Sequence, residues 1–183
     1  MSKGIILYQS RYGATKKYAD WLKEETGYDC MEIKNAKLLL VQNYDVIVLG
    51  GGVYASGIAG LRFLKKNVNS LSDKKIVVFA VGASPYDEKA ILQGRETHFK
   101  DALSNVPLFY CRGAWDEEKM TFGHRTLCKM LQKAVAKQNP EQYEPWQKAL
   151  MDAVGQKCDW TDKQYLEPLL KYLEETVERE TDK

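Results

Sequence analysis

Apolar residues along the chain fall into two alternating patterns. Short, uninterrupted runs stand at Ile5–Gln9, Val46–Leu49, Ile76–Val81 and Leu108–Cys111. A loop or a glycine closes each of them: Ser10–Gly13, Gly50–Gly52, Gly82 and Gly113. The runs lack polar alternation, which predicts strands buried on both faces, as in a parallel sheet covered by helices. Cys30–Ile33 predicts a further short strand, with a weaker apolar patch at Leu38–Val41 after it. Between the runs the spacing is helical. Ala14, Tyr18, Trp21 and Leu22 share one face opposite Lys16, Lys17, Lys23 and Glu24, with Gly27 where a C-cap belongs. Leu61, Leu64 and Val68 predict a second helix, and residues 86–103 a third with Gly94 in its middle. Leu127, Met130, Leu131, Ala134 and Val135 form a clean apolar stripe, read first as core. Leu166, Leu169, Leu170, Leu173 and Val177 form the buried face of the last helix. Thr161 with Gln164 resembles a capping box, and Pro168 either bends that helix or shifts its start. Strands alternating with helices predict a single α/β domain over residues 1–183, a doubly wound, five-stranded parallel sheet in three α/β/α layers. An extra segment at about 114–158 precedes the last helix.

Composition narrows the function classes. A net charge of +2 gives no reason to expect nucleic acid as a partner. No apolar run approaches the roughly 20 residues that span a bilayer, and the start lacks the apolar stretch of a signal peptide. Cys30, Cys111, Cys128 and Cys158 form no CxxC pair and only His98 and His124 accompany them, so no metal site is expected. Unpaired thiols suit a reducing compartment, which predicts a cytoplasmic protein. Lys129, Lys133 and Lys137 flank the Leu127–Val135 stripe and leave weak peripheral membrane contact as its alternative to core.

In a doubly wound sheet, ligands bind beyond the carboxyl ends of the strands. Three segments end strands in that way. Ser10, Arg11, Tyr12, Gly13, Ala14 and Thr15 lead into the first helix and suit a phosphate, through backbone N–H groups, the helix dipole and two hydroxyls. Ser10 and Thr15 equally suit plain helix capping. The loop lacks GxGxxG and GxxxxGK[ST], so a mononucleotide fits better than NAD or ATP. After Gly50-Gly51-Gly52, Val53, Tyr54 and Ala55 offer close backbone approach and an aromatic ring for a planar heterocycle, or a turn with Tyr54 packed on the sheet. Gly82, Ala83, Ser84 and Tyr86 offer a third wall, or a helix start with Ser84 as N-cap and Pro85 at its first position. A flat cofactor with a phosphate tail would occupy this edge. Arg11 points either to the phosphate or to solvent.

Ser10-x-x-Gly13-x-Thr15 after Ile5–Gln9 resembles the phosphate loop of the flavodoxin superfamily. Gln9–Thr15, Tyr44–Gly50 and the Gly113-Ala114-Trp115 step look most like the group containing menaquinone-dependent protoporphyrinogen oxidase, as does the ending Asp159–Asp162. The second loop, with Ala55-Ser56-Gly57 after Tyr54, and the acidic start of the extra segment (Asp116, Glu117, Glu118) depart from that group. The resemblance implies bound FMN, an oxidoreductase passing electrons or hydride through the flavin, and a redox partner, small planar substrate or quinone as its counterpart. A flavodoxin-type electron carrier is the alternative, although such carriers tend to be strongly acidic.

Overall fold

The computed structural model describes residues 3–54 and 57–181, with side chains described as far as residue 175. β1 (Gly4–Gln9) leads through a tight loop to α1 (Ala14–Thr26), and β2 (Asp29–Glu32) follows. A short turn of helix, α2 (Leu38–Val41), stands where the sequence shows only an apolar patch. β3 (Val46–Tyr54) then pairs with the two-residue β4 (Gly57–Ile58) before α3 (Leu61–Asn67), β5 (Lys75–Gly82), α4 (Glu88–His98) and β6 (Leu108–Arg112). β7 (Ala114–Asp116), α5 (Phe122–Val135), α6 (Pro145–Asp152) and β8 (Lys157–Asp159) form the extra segment, and α7 (Glu167–Thr181) ends the chain. Among the described residues, no helix is long and apolar enough to cross a membrane.

The sheet runs β2-β1-β3-β5-β6, all parallel, with β4 antiparallel against the end of β3. The expected doubly wound sheet is therefore present, with its order reversing between β1 and β3. Alternate residues of each strand serve opposite faces. Ile5, Leu7, Ile47, Leu49, Ile76 and Val78 pack against Leu61, Leu64, Leu71 and Phe99. Ile6, Val48, Val77, Phe79 and Cys111 pack against Tyr18, Ala19 and Leu22 of α1 and Leu169 and Leu173 of α7. Tyr18 joins three elements from within that second layer. Its hydroxyl donates to the Arg112 carbonyl at 2.6 Å and accepts from the Asp162 N–H at 3.1 Å. Burial pushes the Tyr18 phenol well above its ordinary range, so it stays protonated as this donor.

Several boundaries differ from the sequence reading for identifiable reasons. β3 does not stop at Leu49 but continues through Gly50-Gly51-Gly52 to Tyr54. These glycines are strand residues whose missing side chains make room. A Cβ on Gly50 would overlap the Phe79 ring, and one on Gly51 would overlap the carbonyl oxygen of Ala59. The third helix is capped by Asp87, whose carboxylate accepts from Ala90 N at 3.0 Å, so Ser84 and Pro85 precede it. Asp162, not Thr161, caps the final helical segment, accepting from Gln164 N at 2.9 Å. Pro168 falls in the first turn of α7, where no backbone donor is lost, so it fixes the helix start and not a bend.

Two glycine substitutions separate close approach from simple propensity. Gly51→Ala should cost about 1–3 kcal/mol, read as a lower urea midpoint, because backbone must move to admit the methyl group. Gly94→Ala, mid-helix with open space around it, should instead gain about 0.5–1 kcal/mol in the same titration.

Candidate functional site

The turn from β1 into α1 leaves donors free. Gly13 adopts φ +100°, a left-handed conformation that side chains disfavour, and Ser10 Oγ accepts from its N–H at 3.1 Å. α1 begins with no side-chain cap and no acidic residue in its first turn. Its first N–H groups therefore lack partners among the described residues, at the positive end of a 13-residue helix. Thr15 is only 3% exposed, and its hydroxyl forms no hydrogen bond among the described residues. A hydroxyl that lines the cavity beside free N–H groups suits an anion. Ser10 contributes to the turn itself, whereas Thr15 makes no such contact among the described residues.

These donors open into a cavity of about 410 Å³ at the carboxyl edge of the sheet. Ser10, Arg11, Tyr12, Ala14 and Thr15 line one end. Gly52, Val53 and Tyr54 from β3, Gly82 at the end of β5 and Ala83 after it line the middle. Of the other residues singled out in the sequence, Gly13 faces a second cavity across the loop, together with Lys17 and Thr161. Ser84 and Tyr86 are not part of either wall. Ser84 instead gives its carbonyl to the Tyr110 hydroxyl at 2.6 Å, and Tyr86 is an exposed ring 6.3 Å from Tyr110. Ala55 lies outside the described residues.

The opposite wall comes from Gly113 and the extra segment, and nothing in the sequence marked these residues as cavity lining. Gly113, Ala114, Trp115 and Met120 lead to His124, Leu127, Cys128 and Leu131 on α5. The Trp115 indole nitrogen is buried without a hydrogen-bond partner among the described residues. Burial raises the Cys128 thiol above its ordinary range, with Glu117 adding to the effect, so it stays protonated. Cys111, on β6, is pushed up to about 12 by burial alone.

His124 ties this wall to the phosphate-suited loop. Arg11, an exposed residue, donates from Nη1 to His124 Nε2 at 2.8 Å. A guanidinium can only donate, so Nε2 is the acceptor and the neutral ring carries its proton on Nδ1. Nδ1–H then donates to the Tyr12 hydroxyl oxygen at 2.5 Å, which also receives the Thr121 N–H at 3.5 Å. The hydroxyl proton of Tyr12 is left without an acceptor among the described residues, in a side chain that lines the cavity. The Tyr54 ring stacks on His124, with centroids 5.7 Å apart at 29°, and the Arg11 guanidinium lies 5.0 Å over Tyr54. Burial raises the Tyr54 phenol, and the Arg11 charge opposes that rise.

Comparison with known proteins supplies the class. The sequence model described as "Flavodoxin domain" matches residues 5–142. The chain belongs to the flavodoxin-domain family. Solved structures similar to it include the Trp repressor binding protein of Bacillus subtilis, at 15% identity and TM-score 0.46, covering 61% of this chain and 85% of that one. Two-electron reduced flavodoxin of Megasphaera elsdenii is 19% identical at TM-score 0.41, covering 58% and 82% of the two chains. A flavoprotein of Lactobacillus acidophilus in complex with FMN is 19% identical at TM-score 0.40, covering 61% and 93%. No curated protein matches the chain significantly. FMN is the cofactor of this family, and the residues present fit it. Free helix donors and the partnerless Thr15 hydroxyl suit its phosphate, and an apolar and aromatic cavity continuous with them suits its ring.

The His124 contacts give a measurable consequence. His124→Ala removes two hydrogen bonds and two ring contacts that hold α5 to the loops. Amide exchange across α5 should accelerate about tenfold, while that of β5 stays as in the parent protein.

Proposed function

We propose that the protein is an FMN-dependent oxidoreductase that passes electrons or hydride through its flavin to a small planar substrate, quinones included. The observation that carries this reading is the continuity of one cavity from an anion-suited helix start to an aromatic end roofed by α5. When bound, FMN supplies both one- and two-electron chemistry. The chain's own residues supply position, exclusion of water and protons. Thr15 and the first N–H groups of α1 hold the phosphate, aided by the dipole of α1. Tyr54 and Trp115 bound the planar end, and Leu127 and Leu131 dry its rim. Tyr12 presents its hydroxyl to the cavity, and His124 Nδ1–H, 2.5 Å away, fixes the position of that hydroxyl oxygen.

The finer reading, a protoporphyrinogen oxidase-like enzyme with a quinone acceptor, rests on the resemblance at Gln9–Thr15, Tyr44–Gly50 and Gly113–Trp115. A non-enzymatic electron carrier is favoured by one observation, the exposed Val53 at the cavity edge. The helix standing over the same cavity favours an enzyme, because it restricts approach of a second protein to the planar end. Rapid reduction of a water-soluble quinone by the FMN-loaded, prereduced protein supports the enzyme. Electron delivery to a haem protein with no quinone turnover supports the carrier.

Two measurements address the cofactor directly. Purified protein mixed with FMN and desalted should retain flavin absorption near stoichiometry; a colourless protein overturns the proposal. Thr15→Val should then weaken FMN binding by roughly 1–3 kcal/mol in a fluorescence titration, since a hydrogen bond to a charged oxygen is lost. Equal affinity would remove Thr15 from the site.

A further inference from the structure

α5 sits with its polarity reversed relative to an ordinary surface helix. The stripe that reads as core in the sequence is outside. Met130 is 64% exposed, Leu127 and Leu131 are exposed, and Ala134 beside them is exposed as well. Of the stripe, only Val135 is buried, and the other buried residue of the helix is the polar Gln132, at 9% exposure. The inward edge is polar by construction. Gln132 Nε2 donates to Glu117 Oε1 at 2.8 Å, and Arg125 donates to the carbonyls of Glu117 and Glu118, each at 2.8 Å. The sequence expectation of a core stripe is thus corrected: periodicity marked the amphipathic face, and polar anchors decided which way it turned.

The charge beside this stripe is one-sided. From Lys119 to Pro140 the chain contains no acidic residue. Lys129, Lys133 and Lys137 recur at four-residue spacing, all exposed, and none forms an ion pair among the described residues. At 3.6 residues per turn, Leu127, Met130, Leu131 and Ala134 span about 100° of the helix surface, Lys129 and Lys133 occupy the adjoining arc, and Lys137 follows in the turn after the helix. Phe122, at the first turn, is 87% exposed. An exposed apolar band edged by a column of unpaired lysines is the arrangement of a helix lying in a bilayer interface.

We propose that α5 docks the protein on an anionic phospholipid surface, with Phe122 and Met130 entering the headgroup boundary and Lys129, Lys133 and Lys137 meeting lipid phosphates. A second copy of the chain fits the same face poorly. An antiparallel two-fold contact between these helices would set each lysine column against its own counterpart. Leu127 and Leu131 belong both to the exposed band and to the cavity wall, so docking brings the cavity mouth to the apolar layer of the membrane. The docking itself is independent of the flavin reading.

Flotation of the full chain, with and without FMN, on sealed vesicles tests this. Vesicles of phosphatidylcholine mixed with phosphatidylglycerol should carry the protein at low salt and release it at high salt, whereas phosphatidylcholine alone should carry little. Met130→Glu, a residue outside the cavity wall, should lower partitioning at least tenfold while unfolding at the same urea midpoint as the parent. The triple change Lys129→Gln, Lys133→Gln, Lys137→Gln should lower it roughly a hundredfold, each surface lysine being worth somewhat less than a factor of ten. Failure to float on anionic vesicles overturns the proposal, as does undiminished flotation of either variant. A concentration-dependent dimer that Met130→Glu abolishes would also overturn it, by giving the face to a second copy. A protein that floats yet never retains FMN keeps this proposal and loses the one before it.

Discussion

Everything at the site depends on β3 being held from both sides. It hydrogen-bonds to β1 along Gly4–Gln9 and to β5 along Lys75–Val81, and both of its faces are packed. A strand so enclosed cannot slip by one residue without exchanging its two buried faces. Its register therefore sets the level at which the neighbouring strands end. Gln9 lies opposite Gly51 and Gly52 opposite Val81, so the phosphate-suited loop, Tyr54 and the Gly82 turn emerge together. Gly50 and Gly51 make this possible by leaving space for Phe79 on one side and Ala59 on the other.

On that rigid edge the chemistry is divided between two kinds of wall. The sheet side is backbone-rich and small, with glycines, alanines and unsatisfied helix donors. The opposite side is side-chain-rich, with Trp115, His124 and the leucines of α5. His124 is the joint between them, fixed as a neutral donor by an arginine that cannot accept. A charged binding end and a dry planar end thus coexist in one cavity without an acidic residue among its lining.

Much of this was legible in the sequence where burial on both faces writes a continuous apolar run, as in Ile5–Gln9 and Ile76–Val81. The first loop was legible because a serine, a glycine and a threonine at fixed offsets have few uses after a strand. Gly50–Gly52 misled because glycine reads as a turn, and only the Phe79 ring and the Ala59 carbonyl reveal it as strand. Asp87 lost out to Ser84 as a cap because both stand before plausible helix, and backbone geometry alone chooses. His124 carried no signal, since its meeting with Tyr12 is a product of chain path across more than 100 residues. The stripe on α5 was visible, but a period tells which residues share a face and not what that face meets.

The pairing of Ala114 with Asp159 and of Trp115 with Cys158 brings the two ends of the extra segment side by side. To the rest of the molecule, everything between them is a closed loop on a two-strand stem. Lengthening such a loop costs little, because closure entropy grows only with the logarithm of its length. The helices between Asp116 and Lys157 can therefore vary in length at little cost in closure entropy, while the sheet and its register stay as they are.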